Sequence, residues 1–151
     1  MDLENIASIA TAVGVIFVAV EMWRAHQLAR ATFEDSYDQQ YRELAYIIPV
    51  DALLGKPLAK EVESEVREAI YNYLDLCNDQ VFQRSKRRIS LARWQEWQSG
   101  IEENLGRPFF SEVWSEIKDS APGHFSFLEL LESKKFSSDP NDWVLSRLDI
   151  I

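Results

Sequence analysis

The chain has 151 residues, and its 16 lysines and arginines against 25 aspartates and glutamates give a formal net charge of −9. This length accommodates one anchor segment and one modest domain, and the acidic balance disfavours general nucleic-acid binding because phosphates would be repelled. The single cysteine, Cys77, excludes an intramolecular disulfide and is typical of a reducing compartment.

An apolar run near the N-terminus is the most informative feature of the chain, because it indicates whether the protein is attached to a membrane. Residues 6–20 carry no charge, and Met22 and Trp23 extend the run to eighteen positions with Glu21 as its one charged member. Eighteen helical residues span ~27 Å, close to the ~30 Å hydrocarbon core of a bilayer. We therefore predict a membrane anchor helix over residues 1–23, with the lipid bilayer as a partner.

The charges that flank this run predict its orientation. Asp2 and Glu4 precede the run, whereas Arg24, His26 and Arg30 follow it. Since Lys and Arg accumulate on the cytoplasmic side of membrane helices, we expect the N-terminus outside and the main domain in the cytoplasm.

Two residues of the run, Gly14 and Glu21, are candidates for self-association of the anchor. A charge within a membrane segment is costly and often marks a function. However, Glu21 lies three positions before Arg24, and on a helix this spacing favours an ion pair. The structural interpretation of Glu21 is therefore favoured, and an oligomer in which Gly14 and Glu21 face inward is the alternative.

Helical periodicity continues through the rest of the chain, and no segment alternates with the two-residue period of a strand. The periodicity of residues 24–48 predicts a helical stalk that continues the anchor. The periodicity of residues 58–133 predicts a small cytoplasmic helical bundle. Residues 134–151 are predicted to be a polar tail. The predicted fold class is all-α. The bundle's clearest apolar stripe repeats every three or four positions: Val66, Ile70, Tyr73, Leu74, Cys77 and Val81.

A basic cluster follows this stripe and is the most localised charge feature of the chain. Its members are Arg84, Lys86, Arg87 and Arg88. A solvated loop between helices is the simplest interpretation, with Ser90 as the N-cap of the next helix. The alternatives are a contact with anionic lipid headgroups, at roughly 1 kcal/mol per cation, or with an acidic protein partner.

No constellation of residues indicates an enzyme. The two histidines, His26 and His124, are far apart, and no Cys/His cluster or Gly-rich loop has the spacing of a zinc or phosphate site. Glu112 and Glu116 share a helical face, but without a neighbouring nucleophile or metal motif they indicate a solvated surface. We therefore expect no catalytic residue, cofactor, metal or small-molecule substrate.

A set of aromatic residues recurs at helical spacing. We predict that most of them are buried in the hydrophobic core and that part of the set forms an exposed interaction patch. Its members are Trp94, Trp97, Phe109, Phe110 and Trp114.

Several segments occur in an order that resembles a large group of small bacterial proteins of unknown function. These proteins carry one N-terminal membrane helix and a helical cytoplasmic domain. The resemblance implies the bacterial inner membrane as the location, and it implies no activity. Glu21 departs from it, because members often have Gln or an aliphatic residue near this position. The segments that carry the resemblance are residues 5–10, 20–24, 73–78 and 89–90, Trp94, Trp97 and residues 109–114.

Three functional hypotheses follow. The first is a membrane-tethered helical interaction or scaffold module that binds a protein partner or a second copy of itself. The second is a membrane-active effector that oligomerises through its anchor helix. The third is a soluble all-α domain in which residues 6–20 form a core or dimer helix and Trp94, Trp97 and Trp114 line a pocket.

Overall fold

The computed structural model describes residues 3–143, with side chains from residue 8 onward, and every regular element in this range is an α-helix. The predicted all-α fold class is therefore confirmed. Asp2, the side chain of Glu4 and the tail beyond residue 143 lie outside the described residues. In chain order the helices are α1 (Leu3–Ile47), α2 (Val50–Leu53), α3 (Lys60–Ser85), α4 (Leu91–Leu105), α5 (Pro108–Ser120), α6 (Ser126–Ser133) and α7 (Pro140–Trp143).

The long helix α1 is uninterrupted for 45 residues. It ends at Ile47, because Pro49 has no backbone N–H and disfavours the helical conformation of the residue before it. The chain divides into two compact units, Met1–Asp35 and Ser36–Ile151. The predicted stalk, residues 24–48, is thus divided, and its last part belongs to the bundle because Tyr37 and Ile48 are buried there.

The bundle is organised around α3, whose predicted apolar stripe is buried along its whole length. Helices α5, α6 and α7 pack against α3, and α4 packs against α5. Helix α4 begins after the N-cap expected from the sequence, and α5 begins at a proline. The Ser90 hydroxyl accepts a hydrogen bond from the backbone N–H of Arg93 at 3.3 Å, and Pro108 occupies the first turn of α5.

A tight turn after α2 brings Gly55 against the start of α5. Gly55 has a φ of 68°, which lies in the left-handed region that glycine adopts without steric cost. A Cβ atom at this position would lie 3.1 Å from Cγ of Pro108. The backbone conformation and the close approach of Pro108 therefore both favour glycine here.

The segment predicted as the start of a polar tail, residues 134–151, is packed as far as residue 143. Pro140 is buried, and α7 contacts α3. Asp139 binds Arg84 of α3, and the indole Nε1 of Trp143 donates to Oγ of Ser138 at 3.0 Å. These residues are therefore polar in composition but packed, because the ion pair with the buried Arg84 offsets the polarity of Asp139.

Candidate functional site

The N-terminal unit exposes a long apolar surface. The side chains of Val15, Ile16, Phe17 and Val18 are all exposed, with 64% of Ile16 and 65% of Phe17 accessible. Consecutive helical residues project about 100° apart, so four in a row cover the whole circumference. The helix is therefore apolar and uncovered on every side, whereas a helix on the surface of a soluble domain buries one face.

Length and composition also distinguish this segment from the other described helices. Within residues 3–143, α1 alone is long and apolar enough to cross a membrane, and none of its most apolar window is buried inside the protein. A core helix of a soluble domain can have the same composition, but its apolar side chains would be covered.

Gly14 and Glu21 lie on the same side of α1, because seven residues correspond to almost two full turns. A Cβ atom at Gly14 would meet no atom within 4 Å. The carboxylate of Glu21 lies 3.3 Å from Nη1 of Arg24, which is the ion pair that the spacing predicts. This pair supports the structural interpretation of Glu21, and self-association through this side stays a prediction.

Arg84 does not belong with the exposed cations of the basic cluster. Its side chain is buried, with 7% of the residue accessible, and Nε donates to Oδ1 of Asp139 at 2.8 Å. Its Nη1 donates to the carbonyl of Ile89 at 2.7 Å. The assignment of Arg84 to a lipid or partner contact is therefore corrected: this guanidinium holds α7 against α3. The signal was available, because Arg84 follows Val81 by three positions and Cys77 by seven, which places it on the buried stripe.

The other three members of the basic cluster, Lys86, Arg87 and Arg88, are exposed. Nε of Arg87 donates to Oδ1 of Asn141 at 3.1 Å, and Nη1 of Arg88 donates to Oε1 of Gln83 at 3.0 Å. A contact with anionic lipid or an acidic partner stays a prediction for these three residues.

The aromatic set is mostly core, as predicted. Trp94, Phe110 and Trp114 are buried, and Phe109 is half-buried. Trp97 differs, because it is half-buried beside a cleft and its Nε1 donates to Oδ1 of Asp38 at 2.9 Å. Of Trp94, Trp97 and Trp114, Trp97 alone lines this cleft.

The cleft beside Trp97 has a volume of about 280 Å³ and is bounded by the C-terminal part of α1, by α3 and by α4. Tyr41, Tyr73 and Trp97 provide aromatic surface, and two carboxamides, Gln80 and Asn104, also line it. Helical periodicity alone does not predict this cleft. Its one available signal was Gln80, a polar residue three positions after Cys77 on an otherwise apolar stripe.

Three titratable groups of the bundle, Tyr37, Tyr73 and Cys77, are buried and held in their neutral forms. Burial raises the pKa of Tyr73 and, together with a hydrogen bond to Asp79, that of Tyr37. Burial also raises the pKa of the Cys77 thiol to about 12, against a smaller lowering effect of its hydrogen bond with Tyr73. Such groups are poor bases and nucleophiles at neutral pH, so they serve packing.

The predicted solvated carboxylates Glu112 and Glu116 are exposed, and both pair with the guanidinium of Arg67. Among the described residues, no group of three or more His, Cys, Asp or Glu side chains could hold a metal ion. Comparison with protein-family models, curated proteins and solved structures found no match to this chain.

Proposed function

We propose that this protein is a membrane-tethered helical interaction module. The apolar segment of α1 crosses the bacterial inner membrane, the N-terminus lies outside and the bundle lies in the cytoplasm. The observation that carries the proposal is the uncovered apolar surface on all sides of α1 between residues 8 and 23.

The size of this surface favours lipid over water as its surroundings. Covering one Val, Ile or Phe side chain contributes about 1.5–3 kcal/mol. Leaving Val13, Ile16, Phe17 and Val18 in water would therefore forgo roughly 10 kcal/mol, which is comparable to the whole stability of a domain. A dimer partner would cover one side of the helix, whereas a bilayer covers all of them.

The interaction role is supported by apolar residues exposed on the bundle. Tyr46 is 89% accessible, and Ile47, Val50 and Leu54 beside it in the chain are also exposed. Soluble surfaces rarely cluster large apolar side chains without a binding role. Tethering raises the local concentration of such surfaces at the membrane, so weak contacts with a protein partner or a second copy become sufficient.

An alkaline carbonate wash of membranes from expressing cells tests the anchor. We expect the full chain to stay in the membrane pellet. Phe17→Lys should release a substantial fraction into the supernatant, because a lysine at the centre of a membrane helix costs about 2.5–3.5 kcal/mol. Phe17→Leu is the matched control and should be retained like the unaltered chain.

Release of the unaltered chain into the soluble fraction would contradict the proposal. Residues 6–20 would then be a self-associating helix in water, and sedimentation of the released protein would reveal an oligomer.

A further inference from the structure

The cleft between α1, α3 and α4 is lined by a carboxamide, that of Gln80, with no protein partner among the described residues. Only 5% of Gln80 is accessible, and its carboxamide makes no hydrogen bond with another described residue. The amide is reached from the cleft alone, and a polar group in such a place normally binds a ligand or a water molecule. Since Gln80 lines the cleft, the cleft is where its partner would lie.

A second carboxamide in the same cleft, that of Asn104, can still accept a hydrogen bond. Nδ2 of Asn104 donates to the Tyr73 hydroxyl at 2.9 Å. Its side-chain oxygen has no partner among residues 3–143. The cleft thus combines a complete amide, able to donate and to accept, with a further acceptor.

The walls and the charge of the cleft restrict what it can hold. Tyr41, Tyr73 and Trp97 supply aromatic surface, which suits a planar molecule. Arg93 is the one cation of the lining, and Nη1 of Arg93 lies 3.1 Å from both the Asp38 and the Glu96 carboxylates. Two carboxylates against one guanidinium leave a formal charge of −1, so an anion would be repelled.

We propose that this cleft binds a small, uncharged, planar molecule that carries a hydrogen-bond donor beside an acceptor, the edge presented by a lactam or a nucleobase. A carboxamide forms two hydrogen bonds with such an edge, as Asn and Gln do with adenine. The volume of about 280 Å³ suits a molecule of this size, close to the lower limit of ligand pockets. This site is independent of the membrane tether and adds a small-molecule partner to it.

Two substitutions should weaken ligand binding in the cleft without destabilising the fold. Gln80→Leu keeps the approximate shape of the side chain and removes the unpartnered amide, so the fold should become no less stable. Gly100 lines the cleft from α4, and a Cβ there would meet no atom within 4 Å. Gly100→Leu should therefore fill the cleft while improving the helix propensity of this position, and Gly100→Ala is its matched control.

The test uses the full chain in detergent micelles, with uracil and hypoxanthine as probes and benzoate as a planar anion. Binding is measured by saturation-transfer NMR and calorimetry, against empty micelles. For about ten non-hydrogen atoms we expect a Kd on the order of 0.1–1 mM for at least one lactam. Gln80→Leu and Gly100→Leu should weaken it by roughly tenfold or more, whereas Gly100→Ala should bind nearly as well as the unaltered chain.

Three outcomes would overturn the proposal. They are no binding of either lactam at several times the expected Kd, unchanged binding by Gln80→Leu, and binding of benzoate as tight as that of the lactams. Helical circular dichroism and the melting temperature of each variant show whether a lost signal reflects recognition or unfolding.

Discussion

Cys77 is completely buried on the face of α3 that packs into the bundle core. Burial raises the pKa of its thiol to about 12, so the thiolate that reacts with thiol reagents is almost absent at neutral pH. We expect no reaction with a disulfide reagent at pH 8 on the minute timescale in the native protein, and full reaction after denaturation. Rapid labelling without denaturant would mean that this face of α3 opens, and Cys77→Ala measures the background.

Individual residues of α3 differ in how well their burial and contacts could be predicted from the sequence. The stripe on α3 was predictable because apolar residues repeat with the period of a helix, and the structure buries all of it. Gln80 and Arg84 lie on the same stripe but are polar, and their roles depend on α1, α4 and α7. The local pattern does not indicate a partner that is distant in the chain, such as Asp139 for Arg84.

At the scale of elements, α7 is held against α3 by the ion pair between Arg84 and Asp139. Burial disfavours the charged form of Asp139, but hydrogen bonds from Arg84 and the Asn141 backbone, with the charge of Arg84, outweigh it and lower the pKa below the ordinary 3.8. A depressed pKa contributes stability above the unfolded value of 3.8. That contribution is lost as the pH falls through the lower folded value.

Asp139→Asn tests this connection. At pH 7 it should lower the free energy of unfolding by about 3 kcal/mol, because Arg84 stays buried without a countercharge. Between about pH 5 and pH 2 the unaltered chain should lose stability more steeply than the variant, since only the native carboxylate becomes protonated. Urea unfolding at several pH values measures both effects. Asp142→Asn, an exposed carboxylate of α7, is the control, and an equal loss there would refute the assignment to the buried pair.

For helix α1, sequence periodicity predicted the helix itself but not the position at which it joins the bundle. Its apolar run and its helical continuation were both readable from composition and spacing. The boundary at Ser36 was not, because it depends on Tyr37 packing 5.5 Å from the Trp97 ring, centroid to centroid. Sequence spacing cannot indicate which distant helix supplies such a partner.

At the scale of the whole molecule, the two compact units predict separable behaviour. A fragment of residues 36–151 retains the contacts of Tyr37 with Trp97 and of Tyr41 with Tyr73. We expect it to be soluble without detergent and to unfold in one cooperative thermal transition measured by circular dichroism. A fragment of residues 50–151 loses both contacts and should melt at a lower temperature.

An aggregated or unfolded 36–151 fragment would contradict this division. Equal melting temperatures for the two fragments would show that the C-terminal part of α1 contributes little to the bundle, and the cleft would then lack a stable wall.

The conformation of Gly55 has a consequence for which substitutions the connector tolerates. The connector between α2 and α3 is exposed at Leu54 and Lys56, so substitutions there meet few neighbours. At position 55, a φ of 68° and the Pro108 ring 3.1 Å from a Cβ act together on any replacement. Any side chain at this position would therefore disturb the contact of the connector with α5. We expect position 55 to tolerate substitution far less than its two neighbours, because the constraint comes from the backbone and not from a side chain.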